Sequence, residues 1–307
     1  MTAPEIMVAT SIAPSDTSTS TVLPSSLQPQ IALKGLELAT FTDVVFAQRP
    51  SRPLLLDLQV PAGPGPKPLV ICATGGGFVM AAKENGQLLR TFLAESGFAV
   101  ASIQYRTILD GADYTDGIAD VREAIAFLRA NAETYGLDGS RVALFGESAG
   151  AYLVTMVGLD PAAEVRSVVN KFGAVDFADI AEDFEAEIQA TLDGPAHPFA
   201  LYLHGPGTGK TVHDLVPDAN PLNHITGDAT PFQIWHGSGD RVVSPSQTLR
   251  LHNALRAAGV DSTRYVITDA DHGDLAAMLG NPDGAARWYT EEVVALTVDF
   301  LRKNLQL

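Results

Sequence analysis

The sequence contains a single cysteine, Cys72, among its 307 residues. One thiol cannot form a disulfide within the chain, which excludes the disulfide frameworks that hold small secreted domains together. Basic residues are also scarce, with 20 Lys and Arg against 36 Asp and Glu, and the formal net charge is −16. Because nucleic acids and anionic membrane surfaces repel such a chain, we expect neither as a partner.

Long apolar runs are missing as well. The uncharged segment 69–82 is shorter than the roughly 20 residues that a membrane-spanning helix needs, so we expect no membrane span. No basic residue precedes Lys34, whereas Glu5 and Asp16 do, and this is unlike the basic start of a secretory signal. We therefore predict a cytoplasmic protein.

What the sequence does have is apolar content, 46% of all residues, which suffices for a substantial core. Residues 1–30 are rich in Ser, Thr and Pro and are predicted to be a flexible arm. Residues 31–307 are predicted to form one domain. The sequence leaves open whether two copies of the chain form a homodimer.

Short apolar runs alternate with segments of helical periodicity, a pattern typical of an α/β protein with a mostly parallel sheet between helices. Helical spacing is seen at Val121, Ala124, Ile125 and Leu128, and again at Val293, Leu296, Phe300 and Leu301. The eight predicted strands are 41–47, 54–60, 68–73, 98–105, 141–146, 165–172, 232–236 and 263–269. We expect the first two strands to form an antiparallel hairpin.

One segment, 177–228, interrupts this alternation after the sixth predicted strand. It begins with an acidic stretch of helical character and continues in a loop rich in Pro, Gly and His. Insertions of this size in α/β domains usually cover a site, so we predict a cap.

The strongest motif is G-x-S-x-G at residues 146–150, between an apolar strand and an apolar helix. In this setting the motif is a nucleophile elbow, which exposes the hydroxyl of Ser148 at the carboxyl edge of the sheet. The second motif, 74–78 (TGGGF), directly follows another predicted strand. Three glycines allow backbone N–H groups to gather around an oxyanion. A dinucleotide-binding loop would need glycine at position 80, which is Met80.

A serine nucleophile needs a base, and the base needs an orienting acid. In chains with this elbow the acid and then the histidine follow Ser, each after a late strand. Asp240 follows the strand 232–236, and His272 follows 263–269. We predict a triad of Ser148, Asp240 and His272. The other histidines lie in the insertion (His197, His204, His213, His224), before the acid (His236) or within a helical segment (His252).

These motifs, together with Tyr105-Arg106 and the run 124–150, resemble the hormone-sensitive-lipase-like esterases of the α/β-hydrolase fold, a group that includes bacterial carboxylesterases. The resemblance extends over about residues 41–302. It implies that Gly76, Gly77 and Ala149 donate the oxyanion-hole N–H groups, that the substrate is a small ester, and that no metal or organic cofactor takes part. Two positions depart from the family pattern. Thr74 replaces the usual histidine before the glycines, and 107–117 replaces the usual proline-containing segment.

Other functions remain open at this stage. The same triad can hydrolyse amides, as in a formamidase or peptidase, and a related fold can serve as a non-catalytic ligand-binding module. The segment 204–211 (HGPGTGKT) resembles a phosphate-binding loop, but His204 stands where the first glycine belongs. It also lacks a clear preceding strand. We interpret it as a mobile cap loop near the mouth of the site.

Overall fold

A nine-stranded sheet forms the centre of residues 8–307, the part of the chain that the computed structural model describes. Its strands are β1 Thr21–Leu23, β2 Leu38–Gln48, β3 Pro53–Pro61, β4 Lys67–Ala73, β5 Ala99–Ile103, β6 Leu137–Glu147, β7 Ser167–Lys171, β8 Phe232–Gly237 and β9 Ser262–Ile267. The α-helices of the same residues are α1 Gln87–Glu95, α2 Tyr114–Ala130, α3 Ala132–Tyr135, α4 Ala149–Gly158, α5 Ala186–Leu192, α6 Pro198–His204, α7 Ser246–Ala257, α8 Leu275–Met278, α9 Pro282–Ala286 and α10 Glu291–Leu305.

The strands lie in the order β1-β9-β8-β7-β6-β4-β5-β3-β2. Neighbours from β1 to β5 in this order pair in parallel, whereas β3 pairs antiparallel with both β5 and β2. The mostly parallel sheet and the initial hairpin are therefore confirmed. Each of the eight predicted strands overlaps one of β2 to β9, and only β1 is missed. Because β4, β6, β8 and β9 all run parallel, the loops that follow them meet at one edge of the sheet.

Helices cover the sheet on both faces. Leu69, Ile71 and Ala73 of β4 belong to one apolar core with α2, α4 and α7, while Val70 and Cys72 belong to a second core with α1 and α10. Successive residues of a strand face opposite sides of a sheet, so one apolar strand supplies both cores. The two predicted helical patterns correspond to α2 and α10.

Residues 8–30 differ from the predicted flexible arm. Strand β1 pairs in parallel with β9, and the buried Ala9 donates its N–H to the carbonyl oxygen of Arg241 at 3.0 Å. The physical reason is that the outer edge of β9 presents unpaired backbone groups, which an extended segment can satisfy even when it has few apolar side chains. Residues 1–7 of the predicted arm lie outside the described residues.

The insertion 177–228 lies between β7 and β8 and contains α5 and α6 together with short 3-10 turns. Its acidic start is not one continuous helix, because a 3-10 turn at Phe177–Asp179 and helix α5 are separate elements. The apolar side chains of Phe177, Phe184 and Ile188 are buried in the core that α4 also joins. Within residues 8–307, no helix is long and apolar enough to cross a membrane.

Candidate active site

Ser148 occupies the sharp turn between β6 and α4. Its backbone lies at φ 52° and ψ −121°, a sparsely populated conformation that costs about 1–3 kcal/mol. The turn needs glycine on both sides, because a Cβ on Gly146 would lie 2.5 Å from the Cα of Ala151 and one on Gly150 would lie 2.1 Å from the carbonyl oxygen of Ala73. The Ser148 N–H donates to the carbonyl oxygen of Lys171 at 2.9 Å, which anchors the elbow to β7.

His272 lies in the loop after β9 and reaches the elbow directly. Its Nε2 accepts a hydrogen bond from the Ser148 hydroxyl, with 2.8 Å between the two atoms. The imidazole is buried, and the ring of Phe172 packs against it with centroids 4.6 Å apart. The backbone N–H of His272 donates to Asp271 at 2.8 Å. These contacts hold the ring beside the Ser148 hydroxyl.

Asp240, in the loop after β8, is the partner of the other ring nitrogen. Its Oδ2 accepts from His272 Nδ1 at 2.8 Å, and its Oδ1 accepts the N–H groups of Val242 and Val243, each at 2.9 Å. Burial by itself raises the pKa of the Asp240 carboxyl, but the charge of His272 and hydrogen bonds from His236 and His272 outweigh it and hold the pKa well below the usual range. Asp240 is thus an ionised acceptor, which requires a proton on His272 Nδ1, and the Nε2 lone pair is then the one that faces the Ser148 hydroxyl.

The structure therefore brings the three predicted triad residues together. The other histidines are engaged elsewhere, with one exception. His204 contacts the carbonyl oxygen of Thr211, and His252 contacts Ser262. The exception is His236, whose Nε2 lies 3.2 Å from Asp240 Oδ2. Sequence reasoning missed this contact, although the spacing of four residues between His236 and Asp240 was visible.

The glycine loop after β4 lies directly against the elbow. A Cβ on Gly75 would lie 3.0 Å from the Cβ of Ser148. Gly76 has φ 154°, and a Cβ there would lie 2.2 Å from the carbonyl oxygen of Met80, so only glycine fits. Within residues 8–307, the N–H groups of Gly76, Gly77 and Ala149 make no hydrogen bond to another protein group. These donors are available to an oxygen anion near Ser148.

Thr74 and Tyr105 brace this loop in place of the family's usual histidine. The Thr74 hydroxyl donates to the carbonyl oxygen of Ala82 at 3.1 Å, which ties the start of the loop to its end. The buried Tyr105 hydroxyl donates to the carbonyl oxygen of Thr74 at 2.8 Å. Tyr105 was noted in the sequence only as part of a motif, and the structure gives it this contact.

The segment that follows Tyr105-Arg106 is held by ion pairs and turns. Arg106 donates to the buried Asp120 and pairs with Asp116 at 2.6 Å. Asp110 accepts the backbone N–H of Thr107 and forms an ion pair with Arg52 at 2.9 Å. This part of the chain is therefore ordered without the usual proline-containing segment.

Aromatic side chains connect the insertion to the glycine loop. Phe78, at the end of the loop, is buried and stacks on Tyr202 of α6 with centroids 4.2 Å apart. Tyr152 of α4 and Phe177 and Phe199 of the insertion surround Phe78 at 5.7 to 6.0 Å. The insertion thus packs on the segment that carries the free N–H groups.

The segment 204–211 does not have the architecture of a phosphate-binding loop. It follows helix α6 instead of a strand, and its glycines 205, 207 and 209 have positive φ angles in an exposed stretch without a following α-helix. Its suggested place near the mouth of the site stays a prediction.

Two further features bear on the chemistry available. Burial raises the pKa of the Cys72 thiol to about 12, so this side chain is not a thiolate nucleophile near neutral pH. Within residues 8–307, no group of three or more His, Cys, Asp or Glu side chains is arranged to hold a metal ion.

Comparison with known proteins places this geometry in a family. Residues 56–255 match the family model described as BD-FAE. The chain is 28% identical to esterase LipC of Mycobacterium tuberculosis over 78% of its own length and 60% of that protein. It is 25% identical to isoprenylcysteine alpha-carbonyl methylesterase ICME of Arabidopsis thaliana over 76% of its own length and 56% of that protein. The chain therefore spans little more than half the length of these relatives.

Solved structures agree on the fold. A truncated carbohydrate esterase from gut microbiota superposes with a TM-score of 0.74 at 22% identity, covering 91% of this chain and all of that one. An α/β-hydrolase enzyme from a deep-sea metagenome library superposes with a TM-score of 0.64 at 17% identity, over 88% of this chain and 99% of that chain. The expected α/β-hydrolase fold is confirmed, and the chain belongs to the BD-FAE family.

Proposed function

We propose that the protein is a serine carboxylesterase that works through Ser148, His272 and Asp240. The observation that carries the proposal is the unbroken relay Ser148 Oγ–His272 Nε2 and His272 Nδ1–Asp240 Oδ2, each 2.8 Å long. The names of the esterase relatives and the membership of the BD-FAE family support it.

In the first half of the reaction, the Ser148 hydroxyl attacks the ester carbonyl carbon while its proton moves to His272 Nε2. The resulting imidazolium is stabilised by the ionised Asp240. As the tetrahedral intermediate collapses, the C–O bond to the alcohol breaks and His272 gives the proton to the departing alkoxide. An acyl group remains on Ser148.

The carbonyl oxygen becomes an oxyanion during this step. The free N–H groups of Gly76, Gly77 and Ala149 are assigned to it, because the glycine loop contacts Ser148 and Ala149 begins α4. The start of α4 also favours negative charge through the helix dipole. Loss of one such donor typically costs about 3–4 kcal/mol in the transition state.

In the second half, water attacks the acyl-enzyme, with His272 as its base. The C–O bond to Ser148 breaks, the serine recovers its proton from His272, and the carboxylic acid leaves. The residues of this chain thus complete the cycle with water as the only second substrate.

The proposal is tested with Ser148→Ala and the control Ser102→Ala. Ser102 is a buried β5 serine whose hydroxyl has no partner within residues 8–307, so its loss should change little. On nitrophenyl acetate, butyrate and octanoate, we expect Ser148→Ala to lose at least about 10³-fold in kcat and Ser102→Ala to stay within about twofold of the parent. Equal activity of Ser148→Ala and the parent would contradict the proposal.

Substrate class is resolved by a matched panel. Nitroanilides with the same acyl groups separate esters from amides, and we expect faster turnover of the esters. An acetylated sugar and a small methyl ester extend the panel, because relatives are named carbohydrate esterase and methylesterase. A cytoplasmic location and independence from cofactors stay predictions from the sequence, and homodimer formation stays an open question.

A further inference from the structure

His236 lies next to the proposed triad, yet the mechanism above does not use it. It is fully buried on β8, four residues before Asp240. Its Nε2 faces two acceptors, Asp240 Oδ2 at 3.2 Å and the carbonyl oxygen of Val243 at 3.1 Å. A lone pair on Nε2 would be repelled by both oxygens, so Nε2 carries a proton and donates it.

The contacts of the other ring nitrogen, Nδ1, determine that the proton of His236 lies on Nε2. His236 Nδ1 lies 2.7 Å from the hydroxyl of Thr248 on α7. The Thr248 oxygen in turn accepts from Nε of Arg264 on β9 at 3.1 Å. Arg264 can only donate, so the Thr248 proton has two acceptors within reach, the carbonyl oxygen of Pro245 at 3.3 Å and His236 Nδ1 at 2.7 Å. The shorter distance favours His236 Nδ1, which then accepts. Donation therefore runs in one direction, from Arg264 through Thr248 to His236, whose Nε2–H lies between the carbonyl oxygen of Val243 and Asp240 Oδ2.

Arg264, the first donor of this hydrogen-bond series, is a buried arginine without an ion-pair partner within residues 8–307. Its remaining contacts are neutral: the Ser20 hydroxyl at 2.7 Å and the carbonyl oxygen of Pro245 at 2.8 Å. Burying a cation without a carboxylate partner costs folding free energy. Here the hydrogen-bond series that begins at the Arg264 cation leads towards the Asp240 anion. Burial lowers the pKa of His236, and the charge of Arg264 lowers it further, whereas Asp240 raises it. The net pKa is lowered, so the neutral form of the His236 ring is favoured.

We propose that His236 is a positioning residue for Asp240, set by a buried hydrogen-bond relay that begins at Arg264 and Thr248. The inference rests on the proposed function, because it concerns the acid of the same triad. Asp240 accepts three hydrogen bonds, from the N–H groups of Val242 and Val243 on Oδ1 and from His272 on Oδ2. His236 Nε2, which is hydrogen-bonded to the carbonyl oxygen of Val243, adds a fourth N–H 3.2 Å from Oδ2. The His236 N–H and the three hydrogen bonds together oppose rotation of the carboxylate away from His272.

The first test compares His236→Phe with His236→Gln in the full chain. Phe keeps the ring shape and removes the donor, whereas the Gln amide keeps an N–H to offer Asp240. On nitrophenyl acetate we expect His236→Phe to lose about tenfold in kcat with little change in KM, the equivalent of one hydrogen bond, and His236→Gln to recover most of it. Equal kcat values for both variants and the parent would overturn the proposal.

The second test examines the relay at Thr248, which touches neither Ser148 nor His272. Thr248→Val removes the hydroxyl at nearly constant volume, and Thr248→Ser keeps it. We expect the Val variant to lower kcat several-fold, because His236 Nδ1 loses its donor and the tautomer that points Nε2–H at Asp240 is no longer enforced, and we expect the Ser variant to match the parent. A Ser variant as slow as the Val variant would overturn the relay. If His236→Phe does not fold, Thr248→Val and Thr248→Ser still test the proposal.

A third readout needs no substrate. In protein labelled with ¹⁵N-histidine, we expect the neutral His236 ring to carry its proton on Nε2, and the His272 Nδ1–H resonance to shift in His236→Phe but not in His236→Gln. A proton on His236 Nδ1 in the parent, or an unmoved His272 resonance, would overturn the proposal. If the parent hydrolyses no ester, the proposed function fails, while this measurement still decides whether the relay exists.

Discussion

Acidification should release a helix cap in the insertion, because His197 caps α6 with an unprotonated nitrogen. The Phe199 N–H donates to His197 Nδ1 at 3.3 Å, at the start of α6. Burial lowers the pKa of His197 from 6.5 to about 4. A proton on Nδ1 would remove the acceptor and place a positive charge at a helix N-terminus, which the helix dipole disfavours. Helix α6 also carries Tyr202, which stacks on Phe78 of the glycine loop.

The sign of the effect follows from the direction of the shift. The pKa of His197 is lower in the folded state than in the unfolded state, so its contribution to stability is fully present above pH 6.5. It is lost as the pH falls towards 4. From this shift the loss is at most about 2 kcal/mol at pH 5 and about 3 kcal/mol at pH 4, with the partly exposed ring reducing both values.

The assay is urea unfolding of the parent and of His197→Asn at pH 7, 5 and 4. Asparagine is a good N-cap residue and does not titrate in this range. We expect the free energy of unfolding of the parent to fall more steeply than that of His197→Asn, with the gap widening by about 1–2 kcal/mol between pH 7 and pH 5. A gap that stays constant over this range would refute the reasoning.

Further predictions concern the triad, the elbow and the glycine loop. Asp240→Asn should lower kcat by about 10⁴-fold, because an amide cannot hold the tautomer of His272 as a carboxylate does; steady-state kinetics on a nitrophenyl ester checks this. Gly150→Ala should cost about 3 kcal/mol or more by forcing a Cβ to 2.1 Å from the backbone oxygen of Ala73, which thermal unfolding will show. Thr74→Val should lower kcat about tenfold by freeing the glycine loop, while Thr74→Ser keeps the hydroxyl and the activity; equal rates for the two variants would contradict the bracing role.

Much of the fold could be predicted from the sequence because strong local patterns coincide with the elements that place the site. The apolar strand 141–146 and the glycines around Ser148 specify the elbow within ten residues of chain. Asp240 and His272 each follow an apolar run directly. The structure brings these three side chains within hydrogen-bond distance, while their catalytic roles stay a prediction.

What the sequence did not reveal depends on contacts between distant residues. Ser20 and Arg264 are 244 positions apart, and the three residues of β1 show no pattern of their own that indicates a strand. The edge of β9 determines their conformation. His236 was likewise passed over, since only the folded chain shows that its Nε2 reaches Asp240.

The most direct test of the central claim is covalent labelling of the intact chain with a fluorophosphonate, followed by mass spectrometry of the peptides. An activated serine loses its proton to His272 and displaces fluoride, so we predict one adduct per chain, located on Ser148, and none in Ser148→Ala. An unlabelled parent chain, or an adduct on another residue with Ser148 unmodified, would contradict the account.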